Sequence, residues 1–259
     1  MITLLATIFF VFGLIIGSFL NVVIARLNTE RSFGGRSACM SCRSTLCWYE
    51  LIPLISFFAL RGRCRTCKSK ISSIYPIVEL TTGFIFSALF LKFQDVFFFN
   101  TLIFSFTYAY YALMFSLLVV IGVYDFKHKI IPDILSLVLG IFGFIGLFFF
   151  NDYGFYPHVP SILEFLSGLL IAVPFALFWI VSSGTWMGLG DAKLAIGLGW
   201  LLGLSRALSG VMVAFWIGAI VGLSLVIFSK KHGMKSEIPF APYLILGTLL
   251  AFLFELHLF

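Results

Sequence analysis

Long apolar runs recur down this chain, and most approach the roughly 20 residues that a helix needs to cross a hydrocarbon core about 30 Å thick. Eight are visible, at about 2–23, 77–91, 101–124, 131–150, 162–181, 189–204, 207–228 and 242–257. In lipid each backbone must satisfy its own hydrogen bonds, which restricts such runs to helices. With 61% hydrophobic and 11% charged residues, the chain is far from the roughly 25% charge of a soluble domain. The fold expected is an all-α polytopic membrane protein of about eight transmembrane helices. The first run has an uncharged start and a basic end, so it reads as an uncleaved span, not a signal peptide.

The charges give an orientation. Nine of the 17 basic residues fall in the stretch 26–76: Arg26, Arg31, Arg36, Arg43, Arg61, Arg63, Arg65, Lys68 and Lys70. By the positive-inside rule this loop is cytoplasmic and the N-terminus is outside. Lys127, Lys129, Lys193, Lys230, Lys231 and Lys235 then fall on the same side, and only Lys92 and Arg206 oppose them. The formal charge of +6 therefore reads as membrane topology, not a nucleic-acid footprint. Three parts follow: a first transmembrane helix (1–25), a cytoplasmic cysteine domain (26–76) and a transmembrane core (77–259).

Four of the five cysteines form two pairs, Cys39/Cys42 and Cys64/Cys67, with 21 residues between them. Cysteines separated by two residues can both reach one tetrahedral ion, and four thiolates close its shell, which predicts a structural Zn2+ site. A reducing cytoplasmic loop argues against disulfides. Cys47 is left over and is expected as a buried thiol. Leu51 to Leu60 is apolar but too short to span, so it lies at the interface or packs over the metal knob.

Two aspartates stand out against this apolar background. Asp191 lies in Trp186-Met187-Gly188-Leu189-Gly190-Asp191-Ala192-Lys193, at the mouth of the sixth run, and Asp125 closes the third. A carboxylate at the centre of a membrane helix costs about 2.5–3.5 kcal/mol on insertion scales, so it usually turns inward to a partner or a function. The assigned orientation sets both on the cytoplasmic side. Two carboxyls facing one water share a proton, one acting as acid and the other as base. That suffices for peptide hydrolysis without a covalent intermediate. Gly188 and Gly190 let the backbone approach a substrate, which must unwind and can pair as an added strand.

Other polar residues have simpler readings beside functional ones. Lys193 is an interface anchor, a partner for Asp191, or a substrate contact. Asp133 holds the amino end of a helix whose first turn accepts Pro132. Glu79, after Tyr75-Pro76, is a cap, an arginine partner or a substrate contact. Asn21 supplies a packing hydrogen bond or touches substrate. The prolines of Ile238-Pro239-Phe240-Ala241-Pro242 stiffen the start of the last span.

Taken in order, Gly17-Ser18-Phe19-Leu20-Asn21-Val22, the two Cys pairs, Tyr75-Pro76 with Glu79, Asp125 with Ile131-Pro132-Asp133, Gly188-Leu189-Gly190-Asp191 with Lys193, and Ile238-Pro239-Phe240 resemble the type IV prepilin peptidases, or leader peptidase/N-methyltransferases. The resemblance covers nearly the whole length. The tetrapeptide ending at Asp191 is also the mark of other intramembrane aspartyl proteases, which lack the cysteine loop. Met40 and Ala241 depart from the family's usual proline and glycine. The resemblance implies an inner-membrane endopeptidase, with Asp125 and Asp191 catalytic, that cuts type IV prepilins or pseudopilins after a glycine on the cytoplasmic side. It also implies N-methylation of the new N-terminus from S-adenosylmethionine. No glycine-rich nucleotide loop accompanies that second activity. The competing reading is a non-enzymatic membrane scaffold whose zinc knuckles form a docking domain. A transporter is disfavoured because its carboxylates would sit near the midplane.

Overall fold

The computed structural model describes residues 1–29, 34–151, 154–185, 187–228 and 238–258. Trp186 and the basic residues Arg31, Lys230, Lys231 and Lys235 of the charge argument lie outside them. The helices are α1 (Ile2–Arg26), α2 (Ile55–Ala59), α3 (Ile74–Lys92), α4 (Gln94–Phe99), α5 (Thr101–His128), α6 (Asp133–Phe149), α7 (Ile162–Ser182), α8 (Leu189–Leu202), α9 (Leu204–Phe228) and α10 (Ala241–Leu253), with a 3₁₀ turn at Trp48–Leu51. Two short strands, β1 (Phe150–Asn151) and β2 (Gly154–Phe155), pair antiparallel after α6. Among the described residues of 77–259 this pair of strands is the one departure from helical structure.

A helix corresponds to each of the eight apolar runs, but among the described residues only α1, α3, α5, α7 and α9 are long and apolar enough to cross a membrane. The chain is a multi-pass membrane protein. Helices α6, α8 and α10 have 17, 14 and 13 residues. At 1.5 Å per residue a 14-residue helix reaches only about 21 Å, so the expected eight full spans are not confirmed. The sixth run is cut short at Gly203, whose φ of 74° ends α8 before α9 begins.

The chain folds as two compact units, Met1–Asp95 and Val96–Phe259. In the first, α1 lies along α3. Their contact is built on small residues, since helix packing in lipid depends on close backbone approach. A Cβ added at Gly13 would lie 2.7 Å from the Phe86 Cβ, and one at Gly17 would lie 2.8 Å from the Glu79 Cα. Asn21 donates its amide to the Tyr75 carbonyl at 3.0 Å, the packing bond of its simpler reading. The large apolar residues Leu4, Ile8 and Ile15 face outward, as a lipid-bathed helix requires.

In the second unit α8 packs against both α6 and α7, and α10 packs against α9 and α5. Gly199 meets the Gly168 backbone and Gly197 meets Leu139. The Ser167 hydroxyl donates to the Gly199 carbonyl at 2.9 Å, and the Trp200 indole N–H donates to the Phe165 carbonyl at 3.0 Å. These contacts fix α8, which carries Asp191. Helix α5 starts where the Asn100 side chain accepts the Leu102 and Ile103 N–H groups. It ends where Lys129, at φ 54°, donates its N–H to the Asp125 carbonyl at 2.7 Å.

Replacing Gly17 with leucine forces α1 off α3. The expected loss is about 1–3 kcal/mol or more, read as a lowered midpoint of unfolding in detergent micelles, whereas Ile15→Leu on the lipid-facing side leaves the midpoint unchanged.

Candidate active site and cysteine cluster

Asp125 and Asp191 belong to the same unit, and both are buried, at 5% and 9% exposed. Asp125 sits on the last turn of α5, and Asp191 is the third residue of α8. They are brought near enough that the charge of Asp125 acts on Asp191. Two local contacts make this possible. A Cβ at Gly190 would lie 3.0 Å from the Ile131 Cβ, so the missing side chain lets α8 start directly against the segment that follows α5. At Gly122, one turn before Asp125, a Cβ would lie 3.0 Å from the Ile245 Cδ1 of α10.

Each carboxylate has a defined holder. The Gly188 N–H donates to the Asp191 carboxylate, which reaches back from the third helical position to the N-cap, half of a capping box. The Ala241 N–H donates to the Asp125 carboxylate. Ala241 opens α10 and is fully buried, and Phe240 before it packs on the Phe175 and Phe215 rings. Sequence reading treated this proline-bounded segment as a stiff helix start and missed that its first N–H serves Asp125. Asp125 Oδ2 is buried without a hydrogen-bond partner among the described residues. A buried orphan oxygen is costly and calls for an explanation.

The helix of the sixth run starts where the apolar pattern places it, at Leu189. Gly188 is extended, at φ −75° and ψ 150°, but Leu189 and Gly190 already form the first turn of α8, because the Asp191 carboxylate closes on the Gly188 N–H. A Cβ at Gly188 would meet nothing nearer than 3.9 Å, which leaves its backbone approachable. Lys193 pairs with Asp133 Oδ1 at 2.7 Å, not with Asp191. Asp133 begins α6 and makes no capping bond, and Pro132 is the N-cap residue, one position before the first turn. The pair joins α6 to α8 at an exposed edge, where such bridges contribute about 0–1 kcal/mol.

Glu79 belongs to the N-terminal unit. It is 8% exposed and accepts the Leu54 N–H on Oε2 at 2.9 Å, with a further bond from the Ser18 hydroxyl. Leu54 is strained, at φ 60° and ψ −51°, and the Ile55 N–H closes a γ-turn on the Pro53 carbonyl at 2.6 Å. This rare turn aims the Leu54 N–H at the carboxylate, and strain of this kind persists where surrounding structure enforces it.

The four cysteine sulfurs lie within 4.8 Å of one another. Cys39 and Cys67 are 3.8 Å apart, and Cys42 and Cys64 are 4.0 Å apart. A tetrahedron with bonds of about 2.3 Å has edges of about 3.8 Å, so the cluster could hold zinc. The two halves are copies. Arg43 and Lys68 donate N–H groups to the Cys39 and Cys64 carbonyls, each with φ near 60°. Cys39 and Cys64 bond back to Ser44 and Ser69. The shared pattern Cys-x-x-Cys-basic-Ser was present in the sequence and was passed over. N–H groups of Cys42 and Ser41 hold the Cys39 thiol down at about 6, and the Ser69 hydroxyl lowers Cys67; thiolates are the form a metal needs. Cys47 is half-buried, not buried, because its N–H is tied to Glu50 in a 3₁₀ turn at the knob surface.

The type IV leader peptidase family model matches residues 112–223, and the model for the bacterial peptidase A24 N-terminal domain matches residues 11–93. The prepilin leader peptidase/N-methyltransferase of Myxococcus xanthus is 36% identical over 244 residues, covering 90% of this chain and 67% of that relative. The Bacillus subtilis protein of the same name is 31% identical over 254 residues, covering 96% and 94%. The Aeromonas salmonicida protein is 32% identical over 273 residues, covering 94% and 89%. No solved structure matches.

Protein purified without chelator is expected to carry about one zinc per chain, by elemental analysis. Cys64→Ser should lose that metal and expose Arg43, Arg61, Arg63 and Arg65 to trypsin, giving rapid cleavage that the metal-loaded parent resists.

Proposed function

The chain belongs to the type IV leader peptidase family, and from that premise we propose that it is a membrane aspartyl endopeptidase acting on type IV prepilins or pseudopilins. It removes the leader after a glycine on the cytoplasmic face of the inner membrane, then N-methylates the new N-terminus from S-adenosylmethionine. The single observation that carries the peptidase is the buried Asp125–Asp191 pair, with one carboxylate oxygen left unpartnered.

The chemistry asks for two carboxyls in opposite protonation states. One, ionised, takes a proton from the water that attacks the scissile carbonyl. The other, protonated, donates to the carbonyl oxygen as it gains charge. As the tetrahedral diol collapses and its C–N bond breaks, the first gives its proton to the leaving amine and the second takes one back from a diol hydroxyl, so both carboxyls end as they began. Backbone N–H donors from Gly188 and Ala241 fix both side chains in advance, and such preorganisation is where much of the rate comes from. Gly188 leaves backbone open beside Asp191, suited to an unwound substrate strand. Gly190 serves the packing on Ile131, and Lys193 with Asp133 positions the start of α8.

The cysteine set fits zinc in spacing and donor type. Cys39, Cys42, Cys64 and Cys67 would hold it, and four thiolates leave no position for catalysis. Its role is to fold the knob. The scaffold reading gives no reason for burying two carboxylates without a cation between them.

Asp125→Asn and Asp191→Asn are each expected to lower prepilin cleavage by more than about 10³-fold while the protein still inserts and melts normally. The double variant should be no worse than either single one, because the pair acts as a unit. Product formation from a purified prepilin, resolved by gel, measures this; cleavage by either variant at the parental rate removes that aspartate from the mechanism.

A further inference from the structure

Residues 48–59 of the N-terminal unit carry an apolar surface that the fold leaves uncovered. Trp48 is 76% exposed, Ile55 66% and Phe58 68%, and Tyr49 and Leu51 are exposed beside them. The 3₁₀ turn that holds Trp48 packs on α2. On α2, Ile55 and Phe58 are three positions apart and share a face, while Ser56, Phe57 and Leu60 line the interior of the unit. Glu50 is the only acidic residue between 34 and 73. Its carboxylate accepts the Cys47 N–H at 2.7 Å, so it is tied to its own turn. Single exposed apolar residues are ordinary, but several large ones in so short a stretch mark a contact surface.

Hydrogen bonds fix the depth of this surface. A crossing of roughly 20 residues that starts at Ile2 ends at Asn21. Asn21 is bonded to the Tyr75 carbonyl of α3 at 3.0 Å, so both helices leave the hydrocarbon at that level. Glu79 lies beside Gly17, one turn or about 6 Å further in. Its carboxylate accepts the Leu54 N–H at 2.9 Å, and Leu54 stands between the 3₁₀ turn and α2. The exposed side chains on both flanks are thus held at the membrane boundary, not out in water. We infer that residues 48–59 dock on the lipid of the leaflet in which α1 ends and α3 begins, with Trp48, Ile55 and Phe58 set among the headgroups and upper acyl chains. Apolar faces of interfacial segments enter about 5–10 Å, and tryptophan favours the headgroup level. Arg61, Arg63 and Lys68 follow directly and are exposed, which suits anionic phospholipid. A water-borne partner would need this face clear of the bilayer, and the bond to Glu79 opposes that. The inference goes beyond the proposed activities and depends on neither.

Two measurements on the full-length protein in vesicles of phosphatidylcholine and phosphatidylglycerol test this. The Trp48 emission is taken as the difference between the parent and Trp48→Phe. It is expected to lose most of its intensity to phosphatidylcholine brominated near the headgroup end of its acyl chains, and little to aqueous iodide. Quenching by iodide and not by the brominated lipid overturns the docking. In the second measurement a benzoylphenylalanine photoprobe replaces Phe58, and the same probe at Ile8, on the lipid-facing side of α1, calibrates capture of lipid. Illumination is expected to attach phospholipid at position 58, with phosphatidylglycerol captured about fivefold above its share of the mixture, as about 1 kcal/mol from one nearby basic residue implies. Capture in the mixing ratio overturns the part given to the basic residues. Attachment to a second copy of the chain, or no adduct at 58 when Ile8 gives one, overturns the lipid as the occupant.

Discussion

A carboxylate inside an apolar bundle is the constraint on which the C-terminal unit depends. Asp125 cannot be buried without something to answer its charge, and no cation is paired with it among the described contacts. The answer comes from backbone. The first N–H of α10 points at Asp125 and the N-cap N–H of α8 points at Asp191. Helix N-termini carry partial positive charge and unsatisfied N–H groups, so two helix starts do what a lysine would otherwise do. A lysine would neutralise a carboxylate and end its chemistry, whereas a backbone N–H steadies it and leaves its other oxygen available. The Lys193–Asp133 ion pair lies outside the buried pair.

That arrangement requires helix starts to approach closely, and the approach is set by what is missing from the side chains. Gly190 against Ile131, Gly122 against Ile245 and Gly199 against Gly168 are contacts where one added carbon would intrude. The same device joins α1 to α3 at Gly13 and Gly17. In water such contacts could be replaced by hydrophobic burial, but lipid tails offer a leucine nearly as good a home as another helix does. Close backbone packing therefore carries the association. The short α8 follows from the same need: it ends at Gly203, and its length is spent on contacts with α6 and α7.

Much of this was legible in the residues. Apolar runs located the eight principal helices, the cysteine spacing located the cluster, and two aspartates at the ends of apolar runs are both found buried. What escaped has physical reasons. Hydropathy measures composition and not length in space, so it could not tell α6, α8 and α10 from full spans. Backbone donors have no sequence signature, which hid the roles of Ala241 and Gly188. The Leu54 γ-turn is a conformation that leucine rarely adopts, and no propensity would suggest it. Lys193 had three readings, none of them Asp133, because that partner is 60 positions away in the chain. The repeat around the cysteines, in contrast, was readable, and attention to the ligands alone obscured it.

In the N-terminal unit the cysteine cluster bears on a buried carboxyl group that is distant from it in sequence. The second knuckle is hydrogen-bonded to the short helix before it: Gly62 donates to Phe57, Arg63 to Leu60, and Leu60 to Ser56. Arg65 donates to the Tyr49 hydroxyl and lies over its ring, 5.6 Å from the centroid, which ties the same knuckle to the 3₁₀ turn. Between that turn and α2 stands Leu54, held at φ 60°. A strained residue keeps its conformation only while both flanks are pinned. Each flank here leads back to the cysteines, so the order of the cluster passes through α2 and the γ-turn to the Glu79 carboxylate. The cysteine cluster is thereby coupled to a buried carboxyl group through a chain of backbone bonds.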